Sequence, residues 1–178
     1  MTARCLLDTN ILLCLANSHA PGHAAAISAV ARLLADGERL AVAPQVLFEF
    51  WSVATRPVEV NGLGMPTAQA LAEVEAIRAR FLLLAEPPTV IDFWLEIVGS
   101  NDLKGKRIHD AHLMATMKAN GVTRLLTFNA ADFPADPGVT IRGWMDRVRM
   151  GLIDHDRQIY FGSLQLRLTV SGHDFGNS

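Results

Sequence analysis

Asp8 follows the apolar pair Leu6 and Leu7, and Asn129 closes the run Leu125-Leu126-Thr127-Phe128. Both stand where a short buried strand would end, the edge at which open α/β sheets place their ligands. Glu49 and Asp110 fall instead in stretches of helical spacing. Val46, Leu47, Phe50, Val53 and Ala54 make one apolar stripe, with Glu49 at its margin. Asp110 shares a face with Leu113, Met114 and Met117, and Ile108, Ala111 and Ala115 make the other side apolar as well. A carboxylate on such a helix is partly desolvated and needs a neutralising partner. A helix N-terminus offsets at most about 2 kcal/mol of that cost, so a cation is the natural complement.

Taken singly, each residue has a plainer use. Asp8 can cap the helix that follows it, and Glu49 can be a surface glutamate paired with Arg56. Asn129 and Asp132 suit the turn before Phe133-Pro134. Taken jointly, carboxylates and an amide gathered near strand ends and helix starts make an oxygen-donor site, which suits Mg2+ or Mn2+ and not zinc. His109 and His112 could face the same way, but no Cys or further His follows in register, which disfavours a zinc site. Lys104, Lys106 and Arg107, just before Asp110, read either as a solvated loop or as a segment that steers phosphate.

The elements that must position these groups alternate along the chain. Leu6-Leu7 reads as a strand, Asn10 to Ala16 as a short helix, and residues 23–36 as a helix that Gly37 stops. Leu40 to Ala43 is a second strand, and Pro44 opens a helix that Arg56-Pro57 ends. After a loop over 58–66, helical spacing resumes near Thr67, Leu82 to Leu84 reads as a third strand, and a helix opened by Pro87-Pro88 should fail at Gly99-Ser100-Asn101. A helix over Ile108 to Asn120, stopped by Gly121, precedes strands at Val122 to Phe128 and Val139 to Ile141. This alternation predicts α/β architecture with a mainly parallel sheet. Leu164, Leu166, Leu168 and Val170 alternate with polar residues, predicting one more strand at 164–170 in a C-terminal extension, 145–178, that follows a domain spanning 1–144.

The 178 residues suit one domain, and 16 Lys and Arg against 18 Asp and Glu exclude both a polybasic nucleic-acid wrapper and an acidic disordered tail. Any nucleic acid would have to meet a local basic patch. Cys5 and Cys14 lack the spacing of a metal or redox motif, so reduced thiols in the cytoplasm are expected. The N-terminal apolar run carries Asp8 inside it, unlike a secretory signal, and the uncharged stretch Thr9 to Ala31 is broken by Asn10, Asn17, Pro21 and Gly22, unlike a membrane span.

Four segments together, LLDTNILL at Leu6 to Leu13, PQVLFEFWSVATRP at Pro44 to Pro57, GKRIHDAHLMATMKANGV at Gly105 to Val122 and LLTFNAADF at Leu125 to Phe133, resemble a PIN domain of the VapC toxin type in order and spacing. The resemblance covers about residues 4–142. It implies a three-layer α/β/α sandwich around a mainly parallel sheet, and a Mg2+- or Mn2+-dependent endoribonuclease acting as the toxin of a type II toxin–antitoxin pair. It maps the catalytic set onto Asp8, Glu49, Asp110 and Asn129, with Asp8, Glu49 and Asp110 as metal ligands. Asn129 stands where many relatives carry Asp and others Asn, so this chain departs from the four-carboxylate form, and the resemblance leaves open whether Asp132 supplies the lost charge.

Two other readings compete. One is a catalytically inactive PIN-like module that only binds RNA or protein, against which stands the retention of all three carboxylates. The other is a phosphoryl-transfer domain with an aspartyl nucleophile, but Asp8-Thr9-Asn10 lacks the second Asp of the dehalogenase motif. The resemblance implies an RNA substrate, a cognate antitoxin and a homodimer. Phe48, Phe50 and Trp51 on one helix, in a chain that is 50% apolar, favour a buried interface between copies. Sedimentation should therefore show a dimer for the full chain, weakened in a version ending after Arg142. A full chain that stays monomeric at about 100 μM, above the range of a modest interface, would refute it.

Overall fold

The computed structural model describes residues 4–143. The expected C-terminal extension, with its strand at 164–170, lies outside the described residues. Five strands, β1 (Arg4–Leu7), β2 (Arg39–Val42), β3 (Leu82–Leu83), β4 (Arg124–Thr127) and β5 (Thr140–Gly143), form one sheet in the order β3-β2-β1-β4-β5. Every neighbouring pair is parallel. The central strand aligns Leu6 with Ala41 on one side and with Leu125 on the other. Cys5, Leu6, Leu7, Leu125 and Leu126 are fully buried, as a parallel sheet covered on both faces requires.

Six α-helices connect these strands: α1 (Thr9–Ala16), α2 (His23–Ala35), α3 (Pro44–Thr55), α4 (Thr67–Arg80), α5 (Thr89–Asn101) and α6 (Arg107–Ala119). Helix α1 packs on α2 and α3, α3 packs on α4, and α5 packs on α6, giving an α/β/α sandwich. Phe50, Ile11, Leu12, Leu33, Met114 and Met117 fill the space between helices and sheet. Among the described residues no helix is long and apolar enough to cross a membrane.

Strand order places the site. From β1 the chain builds outward to β2 and β3, then returns to lay β4 and β5 on the other side of β1. The order reverses between β1 and β4, and at such a switch point the loops leaving the strands part in opposite directions and open a crevice. Asp8 leaves β1 there and Asn129 leaves β4.

The element boundaries differ from expectation in instructive places. Helix α5 continues through Gly99 and Ser100 to Asn101. Ser100 Oγ donates to the Glu96 carbonyl and Asn101 Nδ2 to the Ile97 carbonyl, both at 2.8 Å, so side chains bond the last turn and the stop moves to Asp102, which adopts the left-handed conformation at φ 43°. The expected strand at 122–128 narrows to Arg124–Thr127, because Val122 donates its N–H back to the Met117 carbonyl at 2.9 Å.

The loop after α3 is not loose. Pro57 leads into a 3-10 turn at Val58–Val60, and the chain then folds back so that Leu63, Gly64 and Met65 donate to the carbonyls of Val53, Arg56 and Ala54 at 3.0, 2.8 and 2.8 Å. These bonds satisfy carbonyls that the end of α3 would leave open. Gly62 makes the fold-back feasible, since a Cβ there would stand 1.9 Å from the Arg56 carbonyl oxygen. Gly62→Ala must displace backbone and should cost about 2 kcal/mol, lowering the melting temperature by roughly 4–8 °C. An unshifted thermal transition would show that this return does not anchor α3.

Candidate active site

Asp8 is held by a hydrogen-bond set where β1 ends beside β4. Its backbone N–H extends the ladder to the Leu126 carbonyl at 3.0 Å. Its Oδ1 accepts from Thr9 N at 2.6 Å, so Asp8 does cap α1 as the plainer reading had it. Its Oδ2 accepts from Asn10 Nδ2 at 2.7 Å and from Thr127 Oγ1 at 2.6 Å. A proton count fixes the direction of these bonds. Thr127 Oγ1, fully buried, also accepts from Asn10 Nδ2 and from Asn129 N, both at 3.0 Å. Its single proton is therefore committed to Asp8. Asn10 Oδ1 accepts from Phe128 N at 3.1 Å, which turns the amide's NH2 toward Asp8 and leaves no second orientation.

Glu49 is reached by α1 and by its own helix. Thr9 Oγ1 donates to its Oε2 at 2.8 Å, and Gln45 Nε2 donates to its Oε1 at 2.7 Å. Thr9 and Gln45 thus take the place that the sequence offered to Arg56. Asp110 sits half-buried in the first turn of α6. Burial pushes its carboxyl up to about 6, and the charges of Asp8, Asp132 and Glu49 push the same way against the opposing influence of His109. Burial also raises Asp8, with Glu49 adding to it, while the bonds from Thr127, Thr9 and Asn10 pull the other way. Asp8, Glu49, Asp110 and Asp132 therefore share one neighbourhood at the C-terminal edge of the sheet.

Asn129 enters this set through its backbone N–H to Thr127, and its side chain is exposed. The amide that orients Asp8 belongs to Asn10. His109 is exposed, whereas His112 turns its Nδ1 to Gln45 Oε1 at 2.5 Å and its Nε2 toward Glu86 at 3.8 Å. Thr9, Asn10, Gln45 and Thr127 were not singled out in the sequence as site residues, and His112 was weighed there only as a disfavoured zinc ligand. The signal for the four was position, since all lie inside the segments that carry the family resemblance.

Among the described residues no three His, Cys, Asp or Glu side chains close into a complete ligand set. The donor chemistry nonetheless fits a hard cation. All the candidate ligands are oxygens, and their mutual repulsion is visible in the raised Asp110. An ion of the Mg2+ type keeps several waters and needs only one or two protein carboxylates.

The raised Asp110 carries a consequence for stability. Its folded-state pKa lies above that of the unfolded chain, so the carboxyl is harmless while protonated, below about pH 4, and its penalty grows as pH rises through 6. Asp110→Asn should therefore stabilise the metal-free protein at pH 7.5 and leave it unchanged at pH 4. Solvent screening at a half-exposed group limits the gain to on the order of 1 kcal/mol. Thermal unfolding in chelator at both pH values measures this, and an equal shift at the two would contradict it.

The PIN domain family matches residues 5–135. No curated protein matches the chain. The fold is similar to that of VapBC-1 from nontypeable Haemophilus influenzae, with a TM-score of 0.60 and 16% identity over 80% of this chain and 98% of that one. VapBC2 from Rickettsia felis, bound to a DNA fragment from its promoter, gives 0.59 and 18% over 79% and 98%. A toxin-antitoxin complex from Klebsiella pneumoniae gives 0.50 and 24% over 76% and 95%. With its four motifs, its parallel five-stranded sheet and a match over most of its length, the chain belongs to the PIN domain family, and its fold is similar to those of VapBC structures.

Proposed function

We propose that this chain is a Mg2+- or Mn2+-dependent endoribonuclease and the toxin of a type II toxin–antitoxin pair, acting in the cytoplasm. One observation carries the reading: three acidic residues from β1, α3 and α6 meet at the switch point of a PIN fold, with Asp110 pushed up to about 6 by burial and by its neighbours' charges. Asp8 and Asp110 are the residues that would hold the ion, with Glu49 as a further ligand or as the acceptor of a proton from water. When bound, a divalent cation lowers the pKa of water and offsets the charge that develops on phosphorus.

The chain's own groups divide the remaining work. Thr127 and Asn10 keep Asp8 turned into the crevice. Thr9 and Gln45 steady Glu49 and leave each of its oxygens able to accept one more bond. Asn129 is exposed just past the end of β4. Arg107 opens α6 one turn before Asp110, and with Lys106 it supplies exposed positive charge next to the site. These cations would draw the RNA backbone toward an edge that its own carboxylates make repulsive. Lys104 contributes less, because Asp102 lies 3.2 Å away.

An antitoxin partner is proposed by analogy with the toxin-antitoxin complex of similar fold. A homodimer is also proposed, supported by large apolar side chains left exposed on α3 and α5: Phe48, Ile91 and Leu95. The decisive measurement is cleavage of RNA by the purified chain with Mg2+ or Mn2+, with excess EDTA, and in Asp110→Asn. Metal should be required, and the variant should lose activity by on the order of 100-fold or more while keeping a cooperative thermal transition. Undiminished cleavage in EDTA or in Asp110→Asn would overturn the mechanism, and a folded wild type that binds RNA without cleaving it would favour the inactive binding module.

A further inference from the structure

Gln45 was given above only the support of Glu49, yet both protons of its amide and its oxygen are engaged. It stands one turn before Glu49 on α3. Its Nε2 donates to Glu49 Oε1 at 2.7 Å and to the His109 carbonyl at 3.1 Å, and its Oε1 lies 2.5 Å from His112 Nδ1. Both amide protons are used, and both go to acceptors. The oxygen must therefore accept, which places the proton of the His112 ring on Nδ1. A flipped amide would set an oxygen against a carboxylate and a carbonyl at once, so one orientation is enforced.

The partners of this amide lie on two helices. Glu49 belongs to α3, whereas His109 and His112 belong to α6 and straddle Asp110 in sequence. One side chain thus ties the helix that carries one acidic residue to the first turn of the helix that carries another. Glu49 has one anchor from outside its own helix, Thr9 Oγ1 at 2.8 Å, and the amide, on the same helix as Glu49, ties it in turn to α6. Like charges on α3 and α6 repel, and a bridge between the helices opposes their separation.

We infer that Gln45 is a positioning residue that sets the spacing of the Glu49 and Asp110 carboxylates, with the Nδ1–H of His112 holding the bridging amide in orientation. The inference deepens the nuclease reading and rests on it. Groups that orient ligands in this way are worth roughly 10- to 100-fold in metal affinity when removed.

The test measures Mn2+ affinity of the purified chain by calorimetry, RNA cleavage kinetics, melting temperature, and the His112 tautomer by 15N NMR without metal. Gln45→Ala should weaken Mn2+ binding roughly tenfold and lower kcat by a similar factor at unchanged KM for RNA. The ring of His112 should be the Nδ1–H tautomer in the wild type and lose that preference in Gln45→Ala. His112→Ala should resemble Gln45→Ala. His112→Asn, whose amide nitrogen can take the place of Nδ1 as donor, should restore Mn2+ affinity to near the wild-type value. A wild type that neither binds Mn2+ nor cleaves RNA overturns the nuclease reading itself. A wild type that does both, beside a Gln45→Ala chain of equal Mn2+ affinity, overturns the inference alone, whatever happens to its melting temperature. An Nε2–H tautomer in the wild type, or His112→Asn as weak as His112→Ala, overturns it as well.

Discussion

A carboxylate at the end of a buried strand loses much of its hydration, and placing two more beside it adds repulsion to that loss. Such a group stays ionised and oriented only where the protein returns donors in place of water. Asp8 receives three, from Thr9 N, Asn10 Nδ2 and Thr127 Oγ1. The last two are themselves constrained, because Asn10 also binds Phe128 N and Thr127 also receives Asn129 N. Two of these donors stand at the start of α1, and because β1 and β4 are adjacent and parallel the third comes from the strand next door, while the loop leaving that strand bonds both Asn10 and Thr127. Sheet pairing and site orientation are thus one structure: a shift of one residue between β1 and β4 would turn Thr127 to the other face and remove Asp8's only hydroxyl donor.

The other carboxylates are brought in by helices, and their setting is less complete. Glu49 depends on Thr9 and Gln45, and Asp110 has burial and like charge acting on it together. This imbalance is the expected signature of a site built for a partner that the polypeptide does not itself contain. Fully satisfied acids lower their pKa and stabilise a fold, whereas a raised acid beside other acids is a cost that a bound cation removes. The architecture accepts that cost at one edge while Phe50, Met114 and Met117 pack behind it without exposure.

Much of this was legible in the sequence, for reasons that differ by element. The strands at Leu6-Leu7 and Leu125-Leu126 and the helix opened by Pro44 announced themselves through short apolar runs and a proline confined to a first helical turn. Asp110 could be recognised as strained because its helix is apolar nearly all round. The errors fell at element ends, where a bond to the preceding turn moves the boundary. Gly99 stops a helix on local grounds, yet Ser100 and Asn101 bond the final turn and carry it further. The donors around the site were illegible for another reason. Nothing in the spacing of Asn10 and Thr127 says that they meet, because 117 residues separate them and only strand order brings them together. Gln45 looked like one more polar residue on an amphipathic helix.

The same hydrogen bonds limit how an ion could be held. A carboxylate offers about four lone-pair directions. Asp8 spends two at Oδ2 and one at Oδ1, which leaves a single direction on Oδ1. It can therefore offer a cation one oxygen and not two. Glu49 keeps one direction on each oxygen, after Gln45 and Thr9 take the others. Bidentate carboxylates and high coordination numbers suit Ca2+, while single-oxygen contacts with retained water suit Mg2+ and Mn2+. Single-oxygen contact at Asp8 would thus favour a small hydrated ion, a constraint set by the neighbours of Asp8 as much as by the acid itself, and Thr127 is among those neighbours because β4 lies beside β1.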